Sequence, residues 1–123
     1  MKIRSLIGFV LLLTLTLGSC TKRIDIGDFE ADRWKADPKA CTGDRADMLK
    51  QLQTVKPKLL GLYQKSIIKV LGEPEEQELY KRSQTYYIYY IDPAEACDNG
   101  TENPRKLEVR FTALGIANEV NIR

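Results

Sequence analysis

The amino-acid sequence predicts an α+β domain in which two helices pack on a three-stranded antiparallel sheet, fastened by one disulfide. Three observations predict it. Apolar residues recur with helical spacing between positions 44 and 71, and they alternate with a period of two between 85 and 122. Two cysteines, Cys41 and Cys97, remain as a pair once Cys20 is set aside.

The N-terminal residues are what set Cys20 aside. Lys2 and Arg4 precede an apolar run from Leu6 to Leu17 broken only by Thr and Gly, which is the charged and then apolar pattern of an export signal. The run spans about a dozen residues where a bilayer crossing takes ~20, so a permanent transmembrane helix is the weaker reading. Leu17-Gly18-Ser19-Cys20 resembles a bacterial lipobox, in which small residues admit the peptidase and the cysteine thiol carries lipid. Each methylene of such a lipid adds ~0.8 kcal/mol of membrane attachment. The expected division is a signal peptide over 1–19, a lipidated tether and N-terminal segment over 20–38, and a folded domain over 39–123. Thr21 is not the Asp that retains some lipoproteins at the inner membrane, so the expected place is the periplasmic face of the outer membrane, anchored through Cys20.

From Thr21 to Lys39 isolated apolar residues, among them Phe29 and Trp34, show no sustained period, and order is expected to begin near Phe29. Trp34 is a candidate partner-binding anchor, although an aromatic just ahead of a domain more often packs on that domain's own sheet. Met48, Leu49, Leu52 and Val55 then mark one face of a first helix, capped by Thr42 or Asp44. Pro57 disfavours helical geometry at Lys56, so this helix is expected to stop near Val55. A second helix fits Gln64 to Leu71, closed by Gly72 and Pro74. Glu73, Glu75, Glu76 and Glu78 follow, read as a solvated connector rather than as an acid and base pair.

Strand patterns fill the remainder. Glu78 to Arg82 starts one that continues or hairpins into Thr85 to Ile91, with Tyr86, Ile88 and Tyr90 on one face and Tyr87, Tyr89 and Ile91 on the other. One face is expected to meet the helices and the other to need a cover, either the Phe29 and Trp34 segment or another protein, which makes Tyr87 and Tyr89 candidate partner contacts. Leu107, Val109 and Phe111 alternate with polar residues, and Gly115 turns the chain into a last strand with Ile116, Val120 and Ile122. Asp92 to Pro104 is a long polar loop that offers Asp92 and Glu95 as further partner candidates. Its oxygen ligands do not follow the calcium-loop spacing, so no metal is expected there.

Composition narrows the chemistry. The 123 residues contain no His, which removes the Ser-His-Asp and Cys-His nucleophile arrangements and makes a structural zinc site poor in ligands. With Lys2 and Arg4 removed alongside the signal, Lys plus Arg and Asp plus Glu balance, and no basic cluster suggests nucleic acid. No catalytic residue and no cofactor is expected.

Gly61, Ile67 and Leu71-Gly72-Glu73-Pro74, then the aromatic run Tyr86 to Tyr90, then Leu107, Val109, Phe111, Gly115 and Ile116, follow the order and spacing of the BamE family, also called SmpA/OmlA. The chain resembles that family from about Leu59 to Ile122. It departs from it at Tyr63, where a Ser or Thr cap is usual, and in the Cys41 and Cys97 pair with its long loop. The resemblance implies a small non-enzymatic outer-membrane lipoprotein that binds another protein, such as a β-barrel assembly component. Because β-lactamase inhibitor proteins share this α+β module, an inhibitor or immunity-type protein that docks on an exported enzyme is the alternative.

Overall fold

In the computed structural model, residues 23–123 are described; the signal segment 1–19 and Cys20 lie outside them. The chain forms helices α1 (Ala31–Lys35), α2 (Asp44–Asp47), α3 (Leu49–Leu59) and α4 (Gln64–Leu71). Strands β1 (Glu76–Tyr80), β2 (Gln84–Tyr90), β3 (Lys106–Phe111) and β4 (Ala117–Ile122) come after them. The strands form one antiparallel meander in the order β1-β2-β3-β4. No helix among the described residues is long and apolar enough to cross a membrane.

The α+β class with one disulfide stands, and the expected layout of two helices on three strands is corrected to four of each among the described residues. The extra strand is β1, the hairpin alternative for the strand expected to start at Glu78, and it spans Glu76–Tyr80 instead of Glu78 to Arg82. Its side chains are almost all exposed, so it lacks the apolar alternation that marks a half-buried strand; pairing of Glu78 with Tyr86 and Leu79 with Thr85 defines it instead.

The expected first helix is two pieces joined at Met48, whose backbone (φ −89°, ψ 7°) departs from the helix. The buried carboxylate of Asp37 accepts the N–H groups of Thr42 (2.8 Å) and Arg45 (3.1 Å). That pins the short turn α2 independently of α3, and Asp37 takes the role expected of Thr42 or Asp44. The helix also runs through Pro57 to Leu59 instead of stopping at Val55. A proline there removes the N–H that would reach the Gln53 carbonyl. Full burial of Leu59, worth about 1.5–3 kcal/mol, offsets the loss.

Helix α4 has the expected bounds and buries Ile67, Val70 and Leu71. Tyr63 provides no side-chain cap, and a main-chain contact replaces one: the Gln64 N–H donates to the Gly115 carbonyl at 3.1 Å. Gly61 and Leu62 in turn exchange hydrogen bonds with Ala117, each 2.8 Å long, which ties the helical layer to the start of β4. Gly72 ends α4 at φ +81°, where a side chain would be strained and would press on Lys35.

The core lies between the helices and one sheet face. Met48, Leu52, Val55, Leu59, Ile67 and Leu71 meet Tyr87, Tyr89, Ile91, Leu107, Val109 and Phe111 there. Phe29 and Trp34 join this core, with Ile24 and Ile26 packed against it, so the folded unit begins well before position 39.

Candidate functional site

Cys41 and Cys97 are bonded, with Cα atoms 5.5 Å apart. The bond fastens the loop between β2 and β3 to the segment ahead of α2. A hydrogen bond from the Ala94 N–H to the Lys39 carbonyl (3.0 Å) reinforces it. Lys39 and Ala40 both hold positive φ, at 60° and 58°, a conformation that costs about 1–2 kcal/mol per residue for L side chains and persists where surroundings enforce it.

A buried ionic cluster sits beside this staple. Arg45 stacks on the Trp34 ring at 4.5 Å and donates to the Trp34 carbonyl (3.0 Å), the Tyr90 carbonyl (3.1 Å) and the Glu75 carboxylate (2.5 Å). The Lys39 N–H donates to the same Glu75 oxygen at 2.8 Å. The side chains of Arg45 and Glu75 are 3% and 7% exposed, so Glu75 does not belong to a solvated connector. Arg45 could have been suspected from sequence, because it precedes Met48 and Leu52 at the spacing of one helical face. Nothing in the run of glutamates singles out Glu75.

Burial works against a charge on Asp37, and the hydrogen bonds from Thr42 and Arg45 outweigh it, holding the carboxyl below its ordinary range. A carboxylate whose pKa is lowered by folding stabilises the fold above the unfolded value of about 3.9, and loses that contribution as pH falls through the folded value. Asp37→Asn is therefore expected to cost about 1–3 kcal/mol at pH 7 and to flatten the decline in stability below about pH 4. Urea titrations from pH 7 down to pH 2 check both. An unchanged acid slope would remove Asp37 from the explanation.

The partner-binding candidates fare unequally. Trp34, Tyr87 and Tyr89 are 0%, 6% and 0% exposed, which corrects their assignment as contact residues: they face the helices, and their rings build the core. The Tyr89 hydroxyl donates to the Gly72 carbonyl at 2.9 Å, and burial pushes the ionisation of both tyrosines up. Asp92 is turned inward on the chain as well, accepting from the Arg105 backbone (2.9 Å) and from two guanidinium nitrogens (2.7 Å each). Arg105 holds its carboxyl below the usual range despite partial burial. Glu95 is exposed in the stapled loop. Cys20 lies outside the described residues.

The sheet's other face is the one open to solvent. Strand pairing aligns Glu76, Glu78 and Tyr80 of β1 with Tyr86 and Ile88 of β2, then with Glu108 and Arg110 of β3. Tyr80 meets Tyr86 edge to face at 5.5 Å, and Lys106 lies over the Tyr90 ring at 5.2 Å. The Tyr90 hydroxyl donates to Glu76, and that bond together with partial burial pushes its pKa up to about 12. Ile88 is 3% exposed although it faces outward, because these flanking side chains cover it. The expected cover by the Phe29 and Trp34 segment or another protein is thereby corrected: that segment packs into the helix-side core, and neighbours on the same sheet flank Ile88 instead. What remains uncovered is Tyr80, 47% exposed, with Tyr86 half-buried beside it.

No group of three or more His, Cys, Asp or Glu able to hold a metal occurs among the described residues. Compared with protein-family models, with characterised proteins and with solved structures, the chain matches none.

Proposed function

We propose that this chain is an exported lipoprotein whose folded domain is a non-catalytic protein-interaction module. Lipid on Cys20 holds it at the periplasmic face of the outer membrane, where it serves membrane assembly or maintenance, with a β-barrel assembly component as partner. The observation that carries the reading is the outward tyrosine face. Tyr80 and Tyr86 form an aromatic pair on the sheet's outward face, and tyrosine buries large area at a contact with little rotamer loss. The Cys41–Cys97 bond supports export, because disulfides persist in oxidising compartments. The BamE resemblance in the order of motifs supports the outer membrane and the partner class.

Mild crosslinking of the native lipoprotein in its own membrane, followed by affinity capture and mass spectrometry, tests this. A β-barrel assembly component is expected to be captured by the wild type, and about tenfold less by the Tyr80→Ser, Tyr86→Ser variant, whose near-UV dichroism still reports an intact core. Equal capture by the folded variant defeats the interaction reading. Capture of one exported enzyme, inhibited stoichiometrically, would favour the inhibitor instead. Labelled palmitate is expected to enter the wild type and to be absent from Cys20→Ser; label retained in that variant defeats the lipid assignment.

A further inference from the structure

We infer that β1 accepts an extended partner segment as a fifth strand, one in which lysine or arginine alternates with apolar residues; the inference rests on the interaction reading above. The sheet has two edges, and they differ. At β4, Ala117 exchanges main-chain hydrogen bonds with Leu62 and Gly61, so the helical layer occupies part of that edge. At β1, the N–H and C=O groups pointing away from β2 find no backbone partner among the described residues. A free row of donors and acceptors is the template that strand addition uses, in which main-chain bonds supply affinity and alternate side chains supply selectivity.

Both faces of β1 specify what would fit. Glu76 and Glu78 lie on the outward face, and from Leu71 to Tyr80 the chain carries four glutamates and no lysine or arginine. Of these, only Glu75 is in a salt bridge among the described residues. On the opposite face Gln77 and Leu79 continue the helix-facing side of the sheet beyond the reach of the helices, and Leu79 is left 88% exposed. An added strand would therefore set basic side chains against Glu76 and Glu78, and apolar ones beside Leu79. A second copy of the chain fits poorly. Antiparallel self-pairing centred on β1 opposes Glu78 to its own counterpart, and like charges directly opposite are destabilising.

The probe is a fluorescent peptide of about ten residues alternating Lys and Val, titrated by anisotropy against the full chain purified in detergent micelles. Binding is expected, weakened by added salt, with slowed amide exchange at 76–80. About tenfold weaker binding is expected for Glu78→Lys, and for a peptide of equal charge with prolines at its centre. The inference is overturned by absent binding, by equal binding of the proline peptide or of Glu78→Lys, or by sedimentation that reveals a dimer dissociated by Glu78→Lys. Membrane crosslinking of Glu78→Lys separates the two proposals. If capture survives there but is lost in Tyr80→Ser, Tyr86→Ser, the edge-strand inference falls and the interaction module stands; if it survives in both, both fall.

Discussion

Arg45→Ala is expected to lower the free energy of unfolding by about 3–5 kcal/mol, the usual cost of removing one partner from a buried ion pair. Arg45 is the sole salt-bridge partner of Glu75 among the described residues, and the second Glu75 oxygen is buried without a partner. Its loss would strand a carboxylate in the core, uncover the Trp34 ring, and release the Trp34 and Tyr90 carbonyls. Small domains hold only about 5–15 kcal/mol in total, so the variant should unfold at much lower urea concentration. Arg45→Met combined with Glu75→Leu is expected to recover only part of the loss, because it removes the stranded carboxylate but leaves the Trp34 and Tyr90 carbonyls and the Lys39 N–H without their partners. A loss below about 1 kcal/mol in Arg45→Ala would mean that water reaches Glu75 and that the cluster is not a dry ion pair.

The next largest effect belongs to the staple. Cys41→Ala with Cys97→Ala is expected to cost about 4 kcal/mol from chain entropy alone, since the cysteines lie 56 positions apart. The strained Lys39 and Ala40 lose one of their restraints at the same time. Thermal melts check this in the presence and absence of reductant: reductant should lower the wild-type midpoint and leave the variant unmoved. If the variant melts within a few degrees of the oxidised wild type, the staple is dispensable to the fold.

The sequence made legible those elements that a single periodic signal defines. Helix α4 and strand β3 are bounded by residues whose burial follows their spacing, and Gly72 and Gly115 stand where the chain needs positive φ. Legibility failed where tertiary contact overrides local preference. Pro57 predicted a helix end that burial of Leu59 overrides, and β1, with too few apolar residues to fix its bounds, runs over Glu76–Tyr80 instead of Glu78 to Arg82. The candidate contacts failed for a related reason. Alternation separated Tyr86, Ile88 and Tyr90 from Tyr87, Tyr89 and Ile91 correctly, but parity alone does not say which set the helices will cover. The covered set proved to be Tyr87, Tyr89 and Ile91, which leaves the solvent-facing set one residue away in register.

The bond between Cys41 and Cys97 also decides how the molecule carries tension. When the chain is pulled at its two ends, the load runs along the N-terminal segment to Cys41, crosses the two sulfurs, and leaves along the chain from Cys97 into β3. Helices α2, α3 and α4 and strands β1 and β2 fall inside the covalent ring and are shielded from extension. About 190 Å of contour that an uncrosslinked chain would pay out stays locked. A domain built this way cannot have β1, β2 or helices α2 to α4 drawn out to full length, even under a pull strong enough to peel β3 and β4 away.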